Sequence, residues 1–167
     1  MKLFPYERVE LKTELTHDLI IERFYSYVHR PVPPGNPFKR KHIERSGYEG
    51  VRFNNLLTVN PIINYRNSFA PEGSIEIKNV TDSGNVIIVV KLNAFATAFC
   101  LMFTAIFVFA FIGIAVSEVS EHQFSGFVFI PVLLFLFMYG MMILSFNAEK
   151  SQLMAFMKRL VSDDLID

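Results

Sequence analysis

The chain has no Trp, a single Cys, and no Asp, Glu, Lys or Arg in either Ala94–Val116 or Phe124–Phe146. One cysteine, Cys100, excludes an intramolecular disulfide and a Cys-based zinc site made by one chain. Its place inside the first uncharged run makes it a small apolar packing residue. GxGxxG, Walker-type and GxSxG patterns are all missing, so the glycines read as turn and strand-edge residues. Lys and Arg are also missing between Lys91 and Lys150. MKLFPYERVELK carries charges where the apolar region of a cleavable signal belongs, so no such signal is expected there.

What is present in quantity is apolar bulk, with 18 Phe and six Tyr. Each uncharged run holds 23 residues; at about 1.5 Å per helical residue, each crosses a hydrocarbon layer of roughly 30 Å with some tilt. The alternative, a buried helical hairpin of a soluble protein, is disfavoured because so short a chain has too little protein to wrap two such runs. Only Ser117–Gln123 separates them, which fits two antiparallel helices. The net charge of zero hides an uneven distribution: 13 Lys and Arg precede the first run, three follow the second, and none lies between. The positive-inside rule then predicts an integral membrane protein with both termini cytoplasmic and the connecting loop outside, the hairpin itself serving as insertion signal.

Ahead of the hairpin, Tyr6–Thr13 alternates as a half-buried strand does, with Val9 and Leu11 on one side. Thr16 offers an N-cap and Asp18 an acidic first turn for a helix over 16–29, ending before Pro31. Residues 30–47 hold four prolines and two glycines and read as a long loop. Strands are expected over 48–54, 56–64, 73–80 and 85–92, with turns at Asn54-Asn55 and at 81–84. Asn147 is a candidate cap for a last helix, whose apolar stripe is Leu153, Phe156, Met157, Leu160 and Val161. Docking of that stripe on the soluble domain is favoured over burial in the membrane interface, because its polar face is not strongly basic. The expected fold is α+β: a small antiparallel sheet of about five strands with one packed helix (1–92), a transmembrane helical hairpin (93–146) and a C-terminal amphipathic helix (147–167).

This order of elements, with Tyr-Arg-Asn-Ser-Phe at 65–69, then Pro71, Gly73 and a strand, and Phe146-Asn147-Ala148-Glu149 after the second run, resembles a group of small uncharacterised bacterial two-span membrane proteins. The resemblance implies this architecture and a bacterial inner membrane. It implies no activity.

No constellation of residues carries catalysis. The four histidines, His17, His29, His42 and His122, share no ligand spacing and read as surface residues, so no metal or cofactor is expected. Glu72 and Glu76 are close in sequence, but acid/base work needs two carboxylates held in one pocket with separated pKa values. The apolar runs hold no ionisable Asp, Glu, Lys, Arg or His, which argues against an ion relay. Pro131, Gly140 and Gly113 read as residues that membrane helices tolerate, ahead of kinks or close helix contacts. Strand direction points to one candidate surface. The strand ending at Leu92 finishes beside the bilayer, and an up-and-down order brings the end of the 56–64 strand there too. Tyr65, Arg66 and Phe69 are then at headgroup level, joined by Lys39, Arg40 and Lys41 as a basic, lipid-contacting rim. The competing reading is that Arg66 and Asn67 only brace a turn. A nucleic-acid partner is not expected from so brief a basic run. The function expected is a non-enzymatic membrane protein whose cytosolic domain serves protein or lipid interaction. A ligand-binding or sensing module is the alternative, and an enzyme on a lipid-derived substrate comes third. A homo-oligomer or larger membrane complex stays open.

Overall fold

The computed structural model describes residues 4–31, 47–62, 67–78, 84–120 and 126–162. The elements are β1 (Tyr6–Thr13), α1 (His17–Tyr27), β2 (Val28–His29), β3 (Gly47–Phe53), β4 (Leu56–Ile62), β5 (Pro71–Lys78), β6 (Gly84–Leu92), α2 (Ala94–Ser120) and α3 (Phe129–Val161). Among the described residues the six strands form one sheet in the order β1-β6-β5-β4-β3-β2. All neighbouring pairs are antiparallel except β2 with β3. The α+β expectation holds, with one strand more than the five foreseen.

The extra strand comes from the end of the first helix. Residues 28 and 29 were expected to be helical, but Val28 takes extended dihedrals while its N–H still bonds to the Phe24 carbonyl. A β-branched residue loses χ1 freedom in a helix, and Arg30, preceding Pro31, is pushed towards extended backbone. Val28 and His29 pair instead with Tyr48 and Glu49. At the other end of α1 the foreseen cap forms, Thr16 accepting from the Leu19 N–H.

Both α1 and the C-terminal half of α3 cover one face of the sheet. There Val59, Ile75, Val86, Ile88 and Val90 meet Ile20, Phe24, Leu153, Met157 and Leu160, all essentially without solvent exposure. The interior strand β6 is apolar on consecutive positions over 86–90: Val86, Ile88 and Val90 face the helices, while on the open face Ile87 is covered locally, 2% exposed between Glu10 and Glu76 of its neighbours. β1 lies at the sheet edge, where Arg8, Glu10 and Lys12 face solvent, a composition that discourages pairing with other chains.

Two boundaries differ from expectation. The first long helix continues through Ser117 to Ser120, since neither Gly nor Pro interrupts Ser-Glu-Val-Ser. The second begins only at Phe129, after a turn in which Gly126 takes φ 76 and the Phe129 N–H bonds to the Gly126 carbonyl. Pro131 therefore falls in the first turn of α3, where a missing N–H costs nothing and no kink follows. Residue 147 starts no new helix. α3 is continuous over 33 residues, because the surrounding residues are good helix formers and both halves are held by packing. A ladder of rings, Phe95, Phe99, Phe103 and Phe107, runs along α2 with centroids 6.5, 4.4 and 6.0 Å apart. It crosses to α3 through Phe135 at 6.4 Å and continues to Tyr139.

Both α2 and α3 are long and apolar enough to cross a membrane. Only 6% of the most apolar stretch of α2 and 17% of that of α3 is buried. The core helix of a soluble protein would be mostly covered.

Candidate functional site: the junction of sheet and hairpin

The sheet meets the helical hairpin through a set of polar contacts that begins at Asn93, between β6 and α2. Its side chain accepts from the Ala96 N–H at 2.7 Å, and its carbonyl accepts from the Thr97 N–H and hydroxyl, both at 3.0 Å. These bonds use the donors that a helix start leaves unpaired. β6 thus passes into α2 with a single residue between them.

Of the residues singled out for lipid contact, Tyr65, Arg66, Lys39, Arg40 and Lys41 lie outside the described residues. Phe69 is described: half-buried, it stands with its ring 6.5 Å from Phe99 of α2. Beside it, Asn67 donates to the Ser145 carbonyl of α3 at 3.2 Å and accepts from the Phe69 N–H at 3.0 Å. The segment entering β5 is therefore tied to both long helices. Asn67 braces a backbone carbonyl as the turn-bracing reading expects, and Phe69 contacts α2.

Further along α3, Lys150 pairs with Glu7 of β1 at 2.9 Å. Tyr48 of β3 stacks on Phe156 with centroids 3.8 Å apart, and its hydroxyl faces the Gln152 carbonyl at 3.4 Å. Burial raises the Tyr48 pKa above 10.0, the nearby Glu149 raises it further, and Arg159 opposes them. At the end of the helix, the Thr13 hydroxyl donates to the Val161 carbonyl at 2.6 Å and the Arg23 guanidinium donates to the Ser162 carbonyl. A cation and a hydroxyl thereby satisfy carbonyls at the negative end of the helix. The stripe expected to dock does so: Leu153, Met157, Leu160 and Val161 are buried and Phe156 packs beside them.

Two further surfaces stand out. On the sheet face away from α1 and α3, Val51, Phe53 and Leu56 are 57%, 74% and 38% exposed at the β3–β4 end. Between the distal halves of α2 and α3 lies a cleft of about 730 Å³, lined by Ala110, Ile114, Pro131 and Leu134, with Ser117 and Glu118 at one end. Sequence reasoning missed this cleft, although a signal was present. Glu118 follows Ile114 by one helical turn and is the first carboxylate after the uncharged run.

Glu72 and Glu76 share the open sheet face four residues apart on β5, about 13 Å along the strand, too far to work as a pair. His17 contacts Asp18 at 3.3 Å, and His29 is exposed. His42 and His122 lie outside the described residues. Among the described residues no three His, Cys, Asp or Glu side chains gather. Gly113 and Gly140 have no neighbour within 4 Å where a side chain would project, so neither marks a close helix contact.

Comparison with known proteins returns no match to any family model, curated protein or solved structure.

Proposed function

We propose that the chain is a non-enzymatic integral membrane protein, in which a two-helix anchor holds a cytosolic α+β domain at a bacterial inner membrane for interaction with a protein partner. The observation that supports this reading most is the continuity of α3, which passes from an exposed apolar stretch into the core of the sheet domain without a break. A helix shared in this way gives the domain a defined height and tilt above the bilayer. A linker would leave both free. With one sheet face occupied by α1 and α3, the other is left to meet partners, and its exposed Val51, Phe53 and Leu56 suit an apolar contact rimmed by charge. Phe24, Phe146 and Met157 are buried in the core between the sheet and the helices that cover it, which supports this reading over a ligand-binding module. The direction of insertion follows from the absence of Lys and Arg between the long helices.

Two experiments test the proposal. A photo-crosslinking residue at Phe53 should trap one recurrent protein in native membranes, whereas the same residue at Lys12 should not. A chain that stays monomeric and partner-free in both cases counts against an interaction role. For topology, Ser120→Cys in a Cys100→Ala background should react with an impermeant thiol reagent in intact spheroplasts. Reaction only after lysis reverses the orientation.

A further inference from the structure

We infer that Lys91 and Arg8, neighbours on the open sheet face at its membrane end, hold the phosphate of an anionic phospholipid in the cytoplasmic leaflet. The inference rests on the membrane-spanning reading and orientation above and adds a lipid ligand to them.

Height comes first. β6 ends at Leu92 and α2 starts at Ala94, so Lys91 stands about 10 Å at most from the first residue of the apolar helix. Phe95, in the first turn of α2 and 75% exposed, suits the hydrocarbon side of that boundary. Lysine carries its charge on a long flexible stem, which brings the ammonium to the phosphate layer. Arg8 joins it from the neighbouring strand. Tyr6 is paired opposite Lys91 and Arg8 opposite Val89, so Arg8 lies on the diagonal from Lys91, roughly 7–8 Å away on the same face. An ammonium and a guanidinium at that spacing can both reach one phosphate between them.

Charge then selects the ligand. Both side chains are exposed, and neither takes part in an ion pair among the described residues. Glu72, half-buried, stands opposite Lys91 on β5 without bonding to it. Two cations therefore face one carboxylate. Lys150, by contrast, is already taken by Glu7 at 2.9 Å. A net-anionic headgroup meets two charge-assisted donors here, whereas the ammonium of a zwitterionic headgroup is brought among like charges. A lipid is favoured over a soluble anion because the bilayer surface concentrates phosphate at this height.

The test uses the full chain in micelles containing equal amounts of dioleoyl-phosphatidylglycerol and dioleoyl-phosphatidylcholine, with retained lipid counted by native mass spectrometry. The unsubstituted chain should retain phosphatidylglycerol in preference. Lys91→Gln and Arg8→Gln should each lower that preference about fivefold, the factor one basic residue supplies at an anionic surface, and the two together about 25-fold. Lys12→Gln removes the same charge from the same face of β1 at its far end, opposite Asn85, and should change nothing. Equal retention of the two lipids by the unsubstituted chain overturns the site. Equal losses from Lys12→Gln and Lys91→Gln would mean that net charge alone attracts the lipid, and overturn it as well. Release of the retained lipid by excess inorganic phosphate would assign the cations to a free anion and overturn the lipid. Failure of the underlying reading is distinguishable, because alkaline carbonate would then release the chain from membranes, or Ser120→Cys would react only after lysis.

Discussion

Gly73 sets the distance between α3 and the sheet, and substituting it tests how closely the helix is docked. A Cβ at this position would stand 2.5 Å from Sδ and 2.8 Å from Cε of Met157, and 3.2 Å from the Val59 carbonyl oxygen. Met157 is 0% exposed, so its flexible end can shift only against other buried side chains of the core. Gly73→Ala should therefore cost about 1–3 kcal/mol, the range for overpacking a filled core. Met157→Ala alone should cost about 2–5 kcal/mol through lost burial and a residual cavity. In the double variant the new methyl occupies part of the space that Met157 leaves. Overpacking disappears, the cavity shrinks, and the total should fall short of the sum of the single costs by about 1–3 kcal/mol. The assay is urea unfolding of the α+β domain in mild detergent, followed by the near-UV signal of its tyrosines, for all four members of the cycle. Additivity within about 0.5 kcal/mol would refute the contact, since independent sites behave in that way.

Leu160→Asp places a carboxylate at a position 1% exposed, and should cost several kcal/mol unless the acid is protonated or the helix end leaves the sheet. Unchanged thermal stability in detergent would contradict docking of the helix end. Tyr48 should ionise at higher pH than the other tyrosines in an absorbance titration. Because its folded pKa is raised, its contribution to stability is complete below about pH 10 and lost as pH rises through the folded value. Glu149→Gln should lower that midpoint without returning it to the usual range, since burial is the larger cause; no movement would remove Glu149 from the account. Asn93→Ala should cost about 1 kcal/mol as a lost helix cap. Faster hydrogen exchange at the Ala96 amide would report the loss, and an unchanged rate would deny the cap.

Much of the architecture was legible from local pattern. Two uncharged runs announced the long helices, alternation in Tyr6–Thr13 and 73–80 and the apolar run in 85–92 announced strands, and Thr16 marked a helix start. The apolar stripe from Leu153 to Val161 was read correctly even though its helix was not, because a 3.6-residue period survives whatever lies upstream. Misjudged boundaries fell where local signals were weak or misleading. Asn147 looked like a cap but sits inside a helix held at both ends, and Val28 exchanged a helical turn for a parallel pairing with Tyr48.

The sequence by itself determined what each stretch could be, since hydrophobic period, charge absence and capping chemistry act over a few neighbouring residues. Tertiary structure decided where those stretches meet. Strand order, the notch at Gly73, the Glu7–Lys150 pair and the capping of α3 by Thr13 and Arg23 join residues as much as 148 positions apart, with no local trace of the partner. The cleft between α2 and α3 likewise draws its walls from two segments that are apart in sequence. Its lining residues come together only when the two helices pack, a distance that no single segment encodes.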